Sequence, residues 1–125
     1  MKREIKFRAY SSHNHKMYPV SNIEWDIDGR IWVTADDGKN GIELIDEEAN
    51  LMQYTGLRDK NGREIYEGDI VKVIYQYWGK LGNRYEVKFK QGAFYVKYSL
   101  LSETSPSTSV IGNVHENPEL LEAEK

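Results

Sequence analysis

Two histidines, His13 and His15, stand two residues apart in S-S-H-N-H-K. In an extended segment that spacing points both imidazoles to one side, as a pair of metal ligands requires. No third ligand lies nearby, so an exposed loop is the expected setting. His115, ahead of E-N-P-E-L, is expected to pack or cap rather than to catalyse. Asp26, Asp28, Asp36 and Asp37 cluster beside glycines, where short acidic side chains favour turn geometry. A calcium loop counted from Asp59 would need glycine at its sixth position, and Glu64 stands there. Glu67 and Asp69 flank Gly68 and could converge on a cation, although holding a turn ahead of a buried strand is the simpler role. Nucleophile-elbow, Walker and dinucleotide-binding motifs are missing. With no cysteine there is no thiolate nucleophile, no disulfide and no Cys-based metal site. These patterns predict no catalytic residue, no metal site and no cofactor, and hence a protein that is not an enzyme.

Charge offers a different kind of chemistry. The net charge is -3, yet from Ile70 to Tyr98 six basic residues face one acidic residue, which leaves that stretch at +5 and the remainder at -8. Lys80, Arg84, Lys88, Lys90 and Lys97 are the candidate nucleic-acid contacts, interleaved with Tyr75, Tyr77, Trp78, Tyr85, Tyr95 and Tyr98. Small β-barrels bind single strands by stacking bases on aromatic rings while basic side chains track phosphates. The plainer reading is a solvated, aggregation-resistant strand face with tyrosines at its border. Trp25, Trp32, Tyr77 and Trp78 are candidate interface anchors for a protein partner, since large side chains left exposed in a small polar domain serve that purpose.

Short strands must position these groups. A chain of 125 residues fits one domain, or one domain with a small β subdomain, and buries roughly two-thirds of its unfolded surface on folding. Charges interrupt the apolar residues of M-K-R-E-I-K-F-R, and nowhere is there an apolar run of about 18 residues. A soluble, cytoplasmic protein without a membrane partner is expected. Alternation marks strands at Ile5–Ala9, Ile23–Ile27, Arg30–Thr34, Ile42–Ile45, from Leu51, at Ile70–Tyr75, Tyr85–Lys90, Ala93–Tyr98 and Val110–Val114. Asp28-Gly29 reads as a two-residue hairpin loop that sets Trp25 opposite Trp32. For D-K-N-G the three-residue loop Lys60-Asn61-Gly62 is preferred, because it pairs Leu57 with Ile65 and keeps aliphatic residues together. Gln91-Gly92 is a further turn. Ser102–Ser109, S-E-T-S-P-S-T-S, reads as a surface loop with nothing to bury. Asn117 and Pro118 supply a cap and a first-turn proline for a short terminal helix.

Three blocks, "MKREIKFR" at residues 1 to 8, "MQYTGLRDKNGREIYEGDIVK" at 52 to 72 and "VIGNVHENPELL" at 110 to 121, together resemble the YopX-like family of bacteriophage and prophage proteins. The blocks cover both ends and the middle. Residues 11 to 48 and 76 to 109, which include most of the basic stretch, have no clear match. The resemblance implies a phage- or prophage-encoded, mostly β, self-associating protein without an assigned molecular activity.

The combined expectation is a mainly β, minor α, antiparallel fold. It has an N-terminal β-hairpin region over residues 1–49 and a small barrel-like unit with a short C-terminal helix over 50–125, or one continuous domain. Its expected function is non-enzymatic, through binding to a phage or host protein or through homo-oligomer assembly. The alternative is a small β-barrel that binds nucleic acid.

Overall fold

The computed structural model describes residues 4–36, 41–73, 83–97 and 99–122. The chain divides into two compact units, one formed by Ile5–Gln53 and the other centred on Tyr54–Lys125.

In the first unit, β1 (Phe7–Ser11), β2 (Met17–Trp25), β3 (Ile31–Asp36), β4 (Gly41–Ile45) and the first half of β5 (Ala49–Arg58) form an antiparallel array in the order β4-β3-β2-β1-β5. Alternation in β1 and β3 sends Ala9, Val33 and Ala35 inward, where they pack with Tyr18 and Leu44. The polar run after β4 makes a single 3₁₀ turn, Asp46–Glu48, in which Glu48 Oε1 accepts the Ile45 N–H at 3.0 Å.

The β2–β3 hairpin departs from the sequence expectation. Asp26 N–H donates to Arg30 O, and Gly29 N–H to Asp26 O, both at 3.0 Å, so the loop is the three residues Ile27-Asp28-Gly29. Gly29 occupies the left-handed region at φ 85°. Trp25 therefore pairs with Ile31, and Trp32 with Glu24, rather than the two indoles with each other. The physical reason is twofold. Asp26 Oδ1 accepts the N–H groups of Asp28 and Arg30, each at 2.9 Å, and this register also brings Ile23 against Val33 on the buried side.

In the second unit β5 continues and pairs with β6 (Glu64–Tyr66), with Arg58 opposite Glu64. That pair leaves Lys60-Asn61-Gly62 as the loop, as expected; the register then shifts between Arg58 and Tyr54, and Leu57 packs against the core cluster that holds Ile65. A separate sheet runs β10-β9-β8-β7-β11 through β7 (Asp69–Val73), β8 (Asn83–Lys90), β9 (Ala93–Val96), β10 (Ser99–Leu100) and β11 (Thr108–Asn113). Ile65, Val71, Val87, Val96, Leu101 and Val110 form its core, with Leu57, Tyr85 and Phe94 packed against them. The mainly antiparallel β expectation holds, but the sheet does not close into a barrel: β10 and β11 end its order. The expected turn at Gln91-Gly92 is present, with both residues at positive φ, as a two-residue hairpin loop requires.

The serine- and threonine-rich segment is not a surface loop. A turn of helix α1 (Leu101–Thr104) and the 3₁₀ turn Ser105–Ser107 lead into β11, and Leu101 and Thr108 are fully buried. Burial is tolerated because the hydroxyls find local carbonyls: Thr104 Oγ1 donates to Leu100 O at 3.1 Å and Thr108 Oγ1 to Ser105 O at 2.8 Å. The terminal helix α2 (Glu119–Glu122) forms where expected. Asn117 holds it through its backbone carbonyl, which accepts the Leu120 N–H, while its side chain accepts the Asn113 N–H at 3.2 Å.

Candidate functional site

Buried carboxylates come first, because catalysis would need them. Asp59 is 6 % exposed. Its Oδ1 accepts the N–H groups of Asn61 and Arg63, and its Oδ2 accepts the N–H of Val110 in β11, all at 2.9 Å. Burial pushes this carboxyl up, but the Val110, Arg63 and Asn61 donors and the Arg63 charge outweigh it and hold the group below the usual carboxylate range. Asp69, almost fully buried, accepts the Tyr66 N–H at 2.7 Å through Oδ2. Asn113 Oδ1 accepts the His115 and Glu116 N–H groups at 3.0 and 2.9 Å, and Asn113 Nδ2 donates to Glu116 Oε1 at 2.8 Å. Gly112 passes close to α2: a Cβ there would lie 2.5 Å from Asn117 Oδ1 and 2.9 Å from Leu120 Cδ1. These polar groups tie turns to neighbouring strands.

His13 and His15 lie on an exposed turn, organised by Ser11 Oγ, which accepts the His13 and Asn14 N–H groups at 3.2 Å. Among the described residues no group of three or more His, Asp or Glu is placed to hold a metal ion.

A second arrangement lies on the sheet of the C-terminal unit. Alternation along β8 puts Arg84, Glu86, Lys88 and Lys90 on one face, opposite the side that sends Val87 into the core. The Gln91-Gly92 turn folds β9 back, so that Lys88 pairs with Tyr95. An open cleft of about 420 Å³ results, lined by Arg84, Tyr85, Glu86, Lys88, Lys90, Lys97 and Leu121. Two tyrosine rings fix the ammonium groups: Lys90 Nζ sits 5.0 Å from the centre of Tyr95, and Lys97 Nζ 5.6 Å from that of Tyr85. Arg84 Nη1 donates to Leu120 O at 3.3 Å, which anchors one end of the cleft to α2. Four of the five basic residues singled out in the sequence thus share one site, and Lys80 lies outside the described residues. Leu121 had no sequence signal, since its place depends on how α2 folds back onto β8.

The interface candidates separate. Trp25 is 67 % exposed at the end of β2, and beside it Ile27, at the loop apex, is 100 % exposed. Trp32 is half-buried, and its indole N–H donates to Asp26 Oδ2 at 3.0 Å, so it braces the turn instead of projecting from it. Asp26 Oδ2 also meets Arg30 Nε at 3.1 Å. The Trp32 indole is the main cause that lowers the Asp26 carboxyl to about 2, followed by the Arg30 N–H, with slight burial opposing and the Arg30 side chain and Asp28 N–H assisting. Ile27 was hidden in the sequence because a two-residue loop would have paired it with Arg30. Tyr77 and Trp78 lie outside the described residues.

The family model for the YopX protein matches residues 6–122. The chain belongs to the YopX family. Among solved structures it is similar to protein EF1440 from Enterococcus faecalis, with 26 % identity, a TM-score of 0.66, and coverage of 96 % of this chain and 99 % of that one. It also shares the fold of the YopX protein of Bacillus subtilis, at 22 % identity, a TM-score of 0.62, and coverage of 93 % and 97 % respectively. No curated protein matches the chain. In this YopX-family protein, the sequence blocks that carry the family resemblance hold Asp59, Asp69, Gly112, Asn113 and Asn117, the residues of the turn network. The basic side chains of the cleft, Arg84, Lys88, Lys90 and Lys97, fall outside those blocks, whereas Leu121 closes the last of them.

Proposed function

We propose that this YopX-family chain is a non-enzymatic phage or prophage accessory protein of the bacterial cytoplasm that works by docking onto another protein chain, a second copy of itself first. The observation that carries the reading is the β2–β3 tip, where fully exposed Ile27 and largely exposed Trp25 project from a turn that Asp26 holds rigid. An aromatic and an aliphatic anchor on a preorganised support lose little conformational freedom on docking, which lowers the ordering cost of binding. The phage setting is what the family resemblance implies. The non-enzymatic part is supported by the buried carboxylates Asp59 and Asp69, which accept backbone N–H groups from their own turns and strands. Among the described residues no helix is long and apolar enough to cross a membrane.

Light scattering on the purified chain tests the reading. The expected mass at high concentration is a multiple of 14.6 kDa, reduced to the monomer by Trp25→Ser combined with Ile27→Ser while circular dichroism and Tm stay unchanged. A wild-type chain that remains monomeric at high concentration overturns self-association through this tip.

A further inference from the structure

The cleft over β8 and β9 has no part in docking at the hairpin tip, and its chemistry is of another kind. We infer that it binds single-stranded nucleic acid, with Lys88, Lys90, Lys97 and Arg84 on the phosphates and the Tyr95 ring beside them as a surface for a base.

Charge and periodicity carry the argument. Four basic side chains against one acidic, Glu86, leave the cleft strongly positive although the whole chain is acidic. On β8 the positive side chains are Arg84, Lys88 and Lys90, roughly 14 and 7 Å apart along the strand with Glu86 between the first two, so the positive charge is spread along the strand instead of sitting at a single point. A spread of that kind suits a ligand whose own charge repeats along its length. Lys72 on β7 stands opposite Arg84 on the same face and extends it sideways. The exposed lysines keep their heads in water, yet Tyr95 and Tyr85 hold two of them in place, which limits the ordering cost on binding. The Tyr95 ring, on the same face as Lys88, favours a nucleic acid over an acidic peptide: bases stack on aromatic faces, sequence-tolerantly, while carboxylates do not. The cleft volume lies within the range of ligand pockets, about 300–1,000 Å³. A concave site on an open sheet admits a flexible strand more readily than the wide, stiff surface of a duplex.

Fluorescence anisotropy with a labelled oligodeoxythymidine about 12 nucleotides long tests the inference. Binding is expected at low salt, with log K falling against log salt at a slope of about -2 to -3, as three or four phosphate contacts on a single strand require. Lys88→Glu with Lys90→Glu should abolish binding, and circular dichroism should show the variant folded because both side chains are exposed. Glu86→Gln should tighten binding a few-fold by removing the one repelling charge, an effect that a merely structural carboxylate would not produce. Trp25→Ser, in the other unit, should leave binding unchanged. The inference is overturned if the wild type does not bind at low salt, or if charge reversal at Lys88 and Lys90 leaves binding intact. It is equally overturned if a duplex of the same length binds as well, or if polyglutamate competes as effectively as unlabelled oligonucleotide.

Discussion

The turn Asp26-Ile27-Asp28-Gly29-Arg30 in the N-terminal unit and the turn Asp59-Lys60-Asn61-Gly62-Arg63 in the C-terminal unit are wired alike, bond for bond. In each, the first aspartate donates its N–H to the arginine carbonyl and accepts the glycine N–H on its own carbonyl. In each, Oδ1 accepts the N–H groups two and four residues on. Each glycine lies in the left-handed region, at φ 85° and 83°. They differ in what the second carboxylate oxygen meets. Asp26 Oδ2 stays within its hairpin, on Trp32 and Arg30, whereas Asp59 Oδ2 reaches Val110, 51 residues along the chain. Lys60 N–H to Thr108 O and Asn61 Nδ2 to Ser109 Oγ add to that second attachment. One oxygen atom thus separates a self-contained tip, free to present Ile27 outward, from a staple that fixes β11 to a hairpin.

The largest test of this contrast removes the carboxylates. Asp59→Ala orphans three backbone donors, one of them on a buried strand, and should cost on the order of 3–5 kcal/mol, read as a fall in Tm of about 10 °C or more. Asp26→Ala breaks the same turn at an exposed site and should lower Tm far less; equal losses would refute the distinction. Glycine comes next. Neither Gly29 nor Gly62 has an atom within 4 Å of an added Cβ, so Gly29→Ala and Gly62→Ala carry only the left-handed backbone penalty. Both should cost about 1–2 kcal/mol in chemical denaturation, and clearly unequal values would show that the turns are not equivalent.

The smallest effect is in the acid range. Asp26 is lowered from 3.8 to about 2 in the folded chain, so its contribution to stability is complete above about pH 4 and is lost as pH falls through 2. Asp59 is lowered too and follows the same sign. Trp32→Phe removes the main cause at Asp26 alone. NMR titration of the side-chain carboxyl carbons should then show the Asp26 midpoint rising toward 3.8, with the Asp59 midpoint unmoved.

Much of this was legible in the residues, and the failures have physical causes. Matching aliphatic neighbours, Leu57 with Ile65, gave the correct loop at D-K-N-G-R. The same criterion at D-I-D-G-R matches Ile23 with Val33, but the two-residue turn signal Asp28-Gly29 points to a register one residue away. The signal passed over was the aspartate before the loop, whose carboxylate can accept two turn N–H groups only if the loop has three residues. The polar composition of Ser102 to Ser109 predicts a surface loop, whereas the Thr104 and Thr108 hydroxyls are satisfied by local carbonyls and so can enter a core. The cleft was half visible: the alternation of Arg84, Lys88 and Lys90 and the tight turn at Gln91-Gly92 place the charges together. The packing of α2 that completes it rests on Gly112, Asn113 and Asn117, contacts whose partners no local pattern names.

Scaffold and charge are written on different stretches of this chain. The turns that hold the C-terminal unit use aspartates, asparagines and glycines at fixed bends, while the exposed Lys88 and Lys90 of β8 can be exchanged without disturbing any of them; Arg84, by contrast, is tied to α2 through Leu120 O. Two members of the family could therefore share every bend and still attract opposite ligands. The sign of the charges along this one strand, more than the family name, is what should guide the choice of ligand for each.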